Sequence, residues 1–320
     1  MTIGKGKIIT VGINPAWDIN CMIDGIDWGD HKIIDEQIST PAGKALNVSK
    51  SLAYLGYMSV AAGLWGEHDY DDMVAKLRPL SGFLDLSFTV ANGRTRRNVC
   101  ISDTHNHRQM HLRLSGTLAS RTNIKKLADQ VLKLVDKDDV CIFAGSIPEG
   151  NFSDDIVSLF WDCRQKEAMI ILDSSGSMFN RLVETGQVSV IAPNTQELEE
   201  LIDSNVKEEP SAIARAGKKL LDKVDMILVS MGALGSVLVN KEGYWHTELV
   251  GVPMPVKKTV GCGDNLLGGF VSGLHEDSDP GYALEKAVRI ATGFAYGLCD
   301  THEFWELEEK VHTETSFYKF

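Results

Sequence analysis

Late in the chain, Gly261, Cys262, Gly263 and Asp264 stand between a basic pair, Lys257-Lys258, and the apolar run opened by Asn265-Leu266-Leu267-Gly268-Gly269-Phe270. Glycine lets a backbone turn tightly and aim several N–H groups at one point. If a helix starts here, its unpaired N–H groups and the positive end of its dipole face that point as well. Such a place suits a phosphate or a developing oxyanion. Asp264, beside it, is placed to take a proton from a hydroxyl. An anion cradle with an adjacent carboxylate is the minimum equipment for moving a phosphoryl group onto a small alcohol. The same residues also make a plain glycine turn with an aspartate near a helix start.

Other constellations fall at the ends of apolar runs. Asn14-Pro15-Ala16-Trp17-Asp18 follows the first of them. In α/β sheets ligands sit beyond the carboxyl ends of strands, so Asp18 is placed to bind hydroxyls, or it is a turn aspartate near proline. In Thr40-Pro41-Ala42-Gly43-Lys44-Ala45-Leu46-Asn47, Gly43 permits close backbone approach, and Lys44 and Asn47 share a face of the first helical turn. Proline, glycine and a polar first turn are also ordinary helix-start chemistry. Arg96 and Asn98 alternate along a strand and point the same way. An inward arginine suits a phosphorylated substrate, because guanidinium grips phosphate bidentately; an edge-strand charge is the alternative. Gly145-Ser146 forms another turn at a strand end, which brings Ser146 to the same edge. Asn194 is a good helix cap, with Glu197 at the capping-box spacing; the pair could instead order a magnesium hydrate. Ser230, Gly232 and Gly235 either pass under nucleotide phosphates or make a hairpin turn. His105, His107 and His111 lie in a polar turn and read as a solvated loop.

Helical and strand patterns alternate along most of the chain. Strands are expected at Lys7–Ile13, Met58–Leu64, Val140–Ala144, Met169–Leu172, Val188–Ile191 and Met226–Val229. Helices are expected at Lys44–Gly56, Ser153–Lys166, Ser211–Leu221, Leu266–Leu274 and Tyr282–Leu298. Short apolar strands between helices predict a mostly parallel sheet covered on both faces. Residues 16–40 and 91–115 break the rhythm and alternate in the manner of exposed antiparallel strands. They predict a small β-sheet lid on an α/β core made of residues 1–15, 41–90 and 116–320. The stretch Phe304–Phe320 is acidic and aromatic, and packs either on the core or on a partner subunit.

The bulk properties narrow the function. At 320 residues and 43% hydrophobic content, the chain has ample core. A formal net charge of -12 disfavours nucleic acid and anionic membranes as partners. No apolar run approaches a membrane span, and no signal-peptide core is present. The six cysteines are scattered with no C-x-x-C pair, which argues against a zinc site or disulfide framework and for a cytoplasmic location. The motifs G-x-x-x-x-G-K-[ST] and G-x-G-x-x-G are absent.

Taken in order, these segments resemble the ribokinase/PfkB family of carbohydrate kinases over nearly the whole chain. Ala42–Asn47 is similar to its G-G-K-G-x-N signature, Asn194–Glu197 to N-x-x-E, Ser230–Gly235 to S-x-G-x-x-G, and Gly261–Asp264 to G-A-G-D. Asn14–Asp18, Thr95–Asn98 and Gly145–Pro148 resemble the phosphosugar branch, which includes 1-phosphofructokinase and tagatose-6-phosphate kinase. The resemblance implies a ribokinase-like three-layer fold and ATP-dependent, Mg2+-assisted phosphorylation of a sugar phosphate. Asp264 would be the base, and Gly261, Cys262 and Gly263 the anion hole. Asp18, Gly43 and Asn47 would hold sugar hydroxyls; Lys44, Arg96 and Ser146 would serve the sugar phosphate, and Asn98 would also line the substrate site. Asn194, Ser230, Gly232 and Gly235 would meet the nucleotide, with Glu197 organising magnesium through water. It also implies a homodimer formed through the lid. Ala42, Ala45, Asn265 and Lys258 depart from common family residues. Ala42, Ala45 and Asn265 keep open a non-catalytic sugar-sensing relative; a kinase for an unphosphorylated sugar or nucleoside is the other alternative, which Arg96 discriminates because a neutral substrate gives it no anion to bind.

Overall fold

A computed structural model describes residues 6–34, 36–251, 254–298 and 307–320. Its main sheet has ten strands, in the order β14-β13-β12-β11-β10-β9-β8-β1-β4-β5. The parallel part comprises β1 (Ile8–Gly12), β4 (Ser59–Gly66), β5 (Leu84–Ala91), β8 (Val140–Ala144), β9 (Met169–Asp173), β10 (Val190–Ile191) and β11 (Met226–Ser230). β12 (Ser236–Val239), β13 (Gly243–Leu249) and β14 (Thr313–Lys319) extend it antiparallel.

The central strands are apolar on both faces because helices cover both. Ile9, Val11, Phe143, Ile170 and Leu172 point into one apolar layer with Leu127 of α3 (Arg121–Leu134), Phe160 of α4 (Ser153–Gln165) and Phe179 of α5 (Ser177–Glu184). Their strand neighbours Ile8, Ile142 and Ile171 point into the other. There they meet Val48 of α1 (Lys44–Tyr54), Phe270 of α8 (Cys262–Glu276) and Leu284 of α9 (Pro280–Ala295). Period-two strands between helix layers thus give the expected three-layer α/β core. α8 is seated closely: a Cβ at Gly269 would lie 2.8 Å from Ala287 Cα, and one at Gly273 2.7 Å from Ala283 Cα. The expected strand at Val188–Ile191 narrows to Val190–Ile191.

A separate four-stranded sheet, in the order β3-β2-β6-β7, is built from β2 (Ala16–Ile23), β3 (Glu36–Ala42), β6 (Arg96–Asp103) and β7 (Arg108–Arg113). β2–β3 and β6–β7 are antiparallel, but the central pair β2–β6 is parallel, against the antiparallel expectation. The reason is the main sheet. β1 and β5 run the same way, and each passes through a short turn into β2 or β6, so both strands leave the same edge in one direction. The register puts Asp18, Asn98 and Arg113 in one row on one face. Ile19, Val99 and Leu112 form a row on the other. Trp17 anchors this sheet to the core, edge-on to Trp65 with ring centroids 5.9 Å apart.

The expected aromatic tail is partly settled. Phe304–Glu306 lie outside the described residues. The remainder forms α10 (Leu307–Lys310) and β14, whose Phe317 and Tyr318 pack on Trp245 and Tyr244 of β13. That part packs on the core.

Candidate active site

α8 begins as the glycine pattern requires. Gly261 is the N-cap with φ 94°, a left-handed conformation open to glycine. The N–H of Asn265 bonds to the Gly261 carbonyl at 3.1 Å, so the N–H groups of Cys262, Gly263 and Asp264 stand ahead of the helix ladder. Asp264 sits on this first turn and is only 5% exposed. Its Oδ2 accepts a hydrogen bond from Asn47 Nδ2 at 2.7 Å. Burial, and then the nearby Asp173 carboxylate, push its pKa up to about 7, against the opposing pull of Asn47, Lys44 and Lys50. A carboxylate poised near neutrality suits general-base work.

Asn47 and Lys44 reach this place because α1 starts at a sharp corner. Gly43 has φ 117°, and a Cβ there would approach Pro15 Cα to 3.2 Å. Lys44 Nζ makes an ion pair with Asp173 Oδ1 at 2.7 Å. Burial opposes its charge, yet Asp173, with Glu197 and Asp264, more than compensates and raises its pKa. Asp173 ends β9 and is buried. It escaped the sequence reading, although a carboxylate closing an apolar core strand was the signal available.

A cavity of about 80 Å³ is lined by Lys44, Asp173, Asn194, Glu197, Ser230 and Gly263, with apolar walls that include Leu228 and Leu266. Asn194 and Glu197 open α6 (Thr195–Ile202) with a reciprocal capping box. Asn194 Oδ1 accepts from Glu197 N, and Glu197 Oε2 from Asn194 N, both at 2.9 Å. Capping and cavity lining therefore coexist in one pair. Burial is the main cause raising the Glu197 pKa. Ser230 joins this wall through a bridge to Asn194. Gly232 and Gly235, with φ 58° and 83°, shape the turn that follows and are not part of the cavity lining.

A second, smaller hollow of about 10 Å³ shares Lys44 in its lining. Asn14, Ala42, Gly43 and Ala45 border it, so both alanines that depart from the glycine pattern are in its lining. Asn14 Nδ2 donates to Ser146 Oγ at 2.9 Å. Across from it, Asn98 Nδ2 donates to Asp18 Oδ1 at 2.8 Å. Arg96 spends several donors on structure: Nε bonds the Asn14 and Pro15 carbonyls at 3.3 and 3.2 Å, and Nη2 the Asn14 carbonyl at 3.1 Å. Its Nη1 reaches Asn98 Oδ1 at 3.3 Å. Arg113 is a like-charged neighbour of Arg96, and the sequence reading had passed it over. Cys262 Sγ points back to the Lys258 carbonyl at 3.6 Å, and burial raises its thiol pKa.

A buried carboxylate at an open helix N-terminus, with lysine, carboxylates and a cavity at the carboxyl edge of a parallel sheet, defines a small-molecule phosphotransferase class of site. The profile of the family described as pfkB family carbohydrate kinase matches residues 18–302, and the chain belongs to that family. It is a carbohydrate kinase, transferring a phosphoryl group to an alcohol acceptor. It is 26% identical over 318 residues to a tagatose-6-phosphate kinase of Staphylococcus epidermidis, covering 95% of this chain and 98% of that one. Phosphofructokinase-2 from Escherichia coli, solved in complex with fructose-6-phosphate, superposes with a TM-score of 0.85 at 22% identity, covering 96% of this chain and 98% of that one. The tetrameric inhibited form of the same enzyme superposes with a TM-score of 0.84 at 21% identity over the same shares.

Proposed function

We propose that this kinase transfers the terminal phosphoryl of ATP to a hydroxyl of a sugar phosphate, of the kind named for its tagatose-6-phosphate kinase relative. The observation that carries the reading is Asp264: a buried carboxylate poised near neutrality, held by Asn47, on the first turn of a helix whose N–H groups are open. Asp264 takes the hydroxyl proton as attack begins, and the N–H groups of Gly261, Cys262 and Gly263, joined by that of Asp264, meet the charge on the phosphoryl oxygens. Phosphoryl transfer asks mainly for alignment and charge neutralisation, which this arrangement suits.

ATP occupies the cavity bordered by Asn194, Ser230 and Gly263 and extends past that lining toward the turn of Gly232 and Gly235. The oxygen donors of Asp173 and Glu197 suit a hard cation such as Mg2+. Among the described residues no group of three or more His, Cys, Asp or Glu could hold a metal alone, so the magnesium would also lean on phosphate and water oxygens. Bound there, it would neutralise phosphate charge. The sugar lies across Lys44, between Asp18, Gly43 and Asn47, with the small sheet as a lid that excludes water. Asn98, Arg96, Arg113 and Ser146 serve its phosphate. Residues 1–15, 41–90 and 116–320 then form the nucleotide-binding core, and 16–40 and 91–115 the lid. The lid's outer apolar row is the surface on which we place a homodimer. An acidic chain with scattered thiols fits the cytoplasm.

A second reading, an unphosphorylated sugar as acceptor, is favoured by one observation: Arg96 is already engaged by backbone carbonyls. A coupled ADP-release assay over hexoses and hexose phosphates separates the two. For a phosphosugar acceptor, Arg96→Ala and Arg113→Ala each raise the acceptor KM about tenfold or more, the scale of a lost charged hydrogen bond, and leave the ATP KM in place. Turnover of a neutral hexose with both KM values unmoved assigns the second reading.

A further inference from the structure

Helix α1 places Lys44, Asn47 and Lys50 at three-residue intervals along one side. Lys44 is committed to Asp173, and Asn47 to Asp264. Lys50 has no part in the chemistry above, yet it lies in the same interior. Its Nζ donates to the Pro41 carbonyl at 3.0 Å. Pro41 lies in the lid strand β3, opposite Trp17 and one position from Thr40, which pairs with Asp18. The bond therefore reaches back across the Gly43 corner, where the lid strand becomes the helix. An ammonium carries three donors, and Pro41 takes one.

The electrostatics point the same way. Burial lowers the Lys50 pKa, and the two carboxylates that oppose the fall are Asp18, on the lid, and Asp264, on α8. One cation thus serves a lid carboxylate and a core carboxylate together. We propose that Lys50 is a positioning residue that couples the lid to the base: tethered to the hinge carbonyl of Pro41, and one helical turn beyond the Asn47 that holds Asp264, its ammonium acts on Asp18 and Asp264 together, so that a seated lid strand keeps the base ionised and aimed. This rests on the reading of Asp264 as the base.

Every neighbour of Asp264 enters the balance. From α1, Lys44, Lys50 and the Asn47 amide favour its charge, and from β9 Asp173 opposes it. Glu197 of α6 acts on Lys44, Asp18 of β2 acts on Lys50, and the Cys262 thiol lies beside Asp264 on α8. Lys44 is a poor probe, because removing it also frees Asp173. Lys50 has a neutral carbonyl as its direct partner, so its charge can be removed without stranding an ion-pair partner.

The test compares the full chain with Lys50→Gln, which keeps a donor for Pro41 and loses the charge, and with Lys50→Arg, which keeps both. Each is made alone and with Asp264→Asn. One readout needs no ligand: the pH dependence of the unfolding free energy. The other is the pH profile of turnover with MgATP and D-tagatose 6-phosphate or D-fructose 6-phosphate. Losing a nearby cation raises a carboxylate pKa, so Lys50→Gln moves the titration near pH 7 upward by about one pH unit, while Lys50→Arg leaves it in place. In the Asp264→Asn background Lys50→Gln moves nothing. An unmoved titration in folded Lys50→Gln overturns the coupling and leaves the base standing. A titration that survives Asp264→Asn with turnover intact removes the base, and the coupling with it. If Lys50→Gln loses the native circular-dichroism spectrum while Lys50→Arg keeps it, Lys50 is a strut of the fold, and the coupling is overturned.

Discussion

Asp264 carries two opposed consequences of one burial. In its proposed role as base it must be deprotonated, so turnover is expected to fall as pH drops through about 7, the value to which burial and Asp173 raise it. Asp264→Asn abolishes this acid limb and lowers turnover by roughly two to four orders of magnitude, the scale of a lost general base. Near-normal turnover in a folded variant would falsify the assignment. Stability runs the other way. The native state binds this proton more tightly than the unfolded chain, whose aspartates titrate near pH ~3.9. Stability is therefore lost as pH rises from that value toward 7, and the loss is complete above it. A shift of this size corresponds to an order of 4 kcal/mol. Asp264→Asn, neutral at all pH, melts higher than the wild type at pH 8 and close to it at pH 4. Equal melting temperatures at pH 8 would show that Asp264 is not strained by burial.

At the scale of elements, the proposed anion hole depends on how α8 starts. Alanine at Gly261 would have to hold φ 94°, and its Cβ would come within 3.2 Å of the Phe294 ring. A left-handed alanine costs about 1–2 kcal/mol, so Gly261→Ala lowers the melting temperature. If the helix N-terminus receives the phosphoryl, kcat falls by at least tenfold as well, because the N–H groups no longer converge. A destabilised variant with normal kcat, measured well below its melting temperature, would move the anion hole elsewhere. The capping box at Asn194 shows how an element can serve two ends. Its hydrogen bonds start α6, and the same two residues border the cavity.

At the scale of the whole molecule, the small four-stranded sheet presents two different faces. Asp18, Asn98 and Arg113 make one row, and Ile19, Val99 and Leu112 the opposite one. Met110, Leu112 and Leu114 are 42–50% exposed on that apolar side. A second lid packed there would bury them, and paired charges would exclude it. Leu112→Asp together with Met110→Asp therefore converts a dimer to a monomer in sedimentation velocity while leaving the circular-dichroism spectrum unchanged. A wild type that sediments as a monomer at micromolar concentration removes the interface.

The chain's own order of residues determined much of this. The alternation of short apolar strands with helices could settle into little besides a covered parallel sheet. Gly43 and Gly261 marked the corners where α1 and α8 start, because the left-handed backbone there disfavours other residues. Asp264, Asn47, Lys44, Asn194 and Glu197 were all readable from local spacing. What local spacing does not contain is distance between segments. Asp173 becomes the partner of Lys44, and Asp264 that of Asn47, only when β9, α1 and α8 are brought to one edge. The parallel pairing of β2 with β6 likewise follows from the shared direction of β1 and β5, a property of the main sheet. Periodicity is a local quantity, written in neighbouring residues, whereas electrostatic balance and strand direction are sums over parts of the chain that meet only in the folded core.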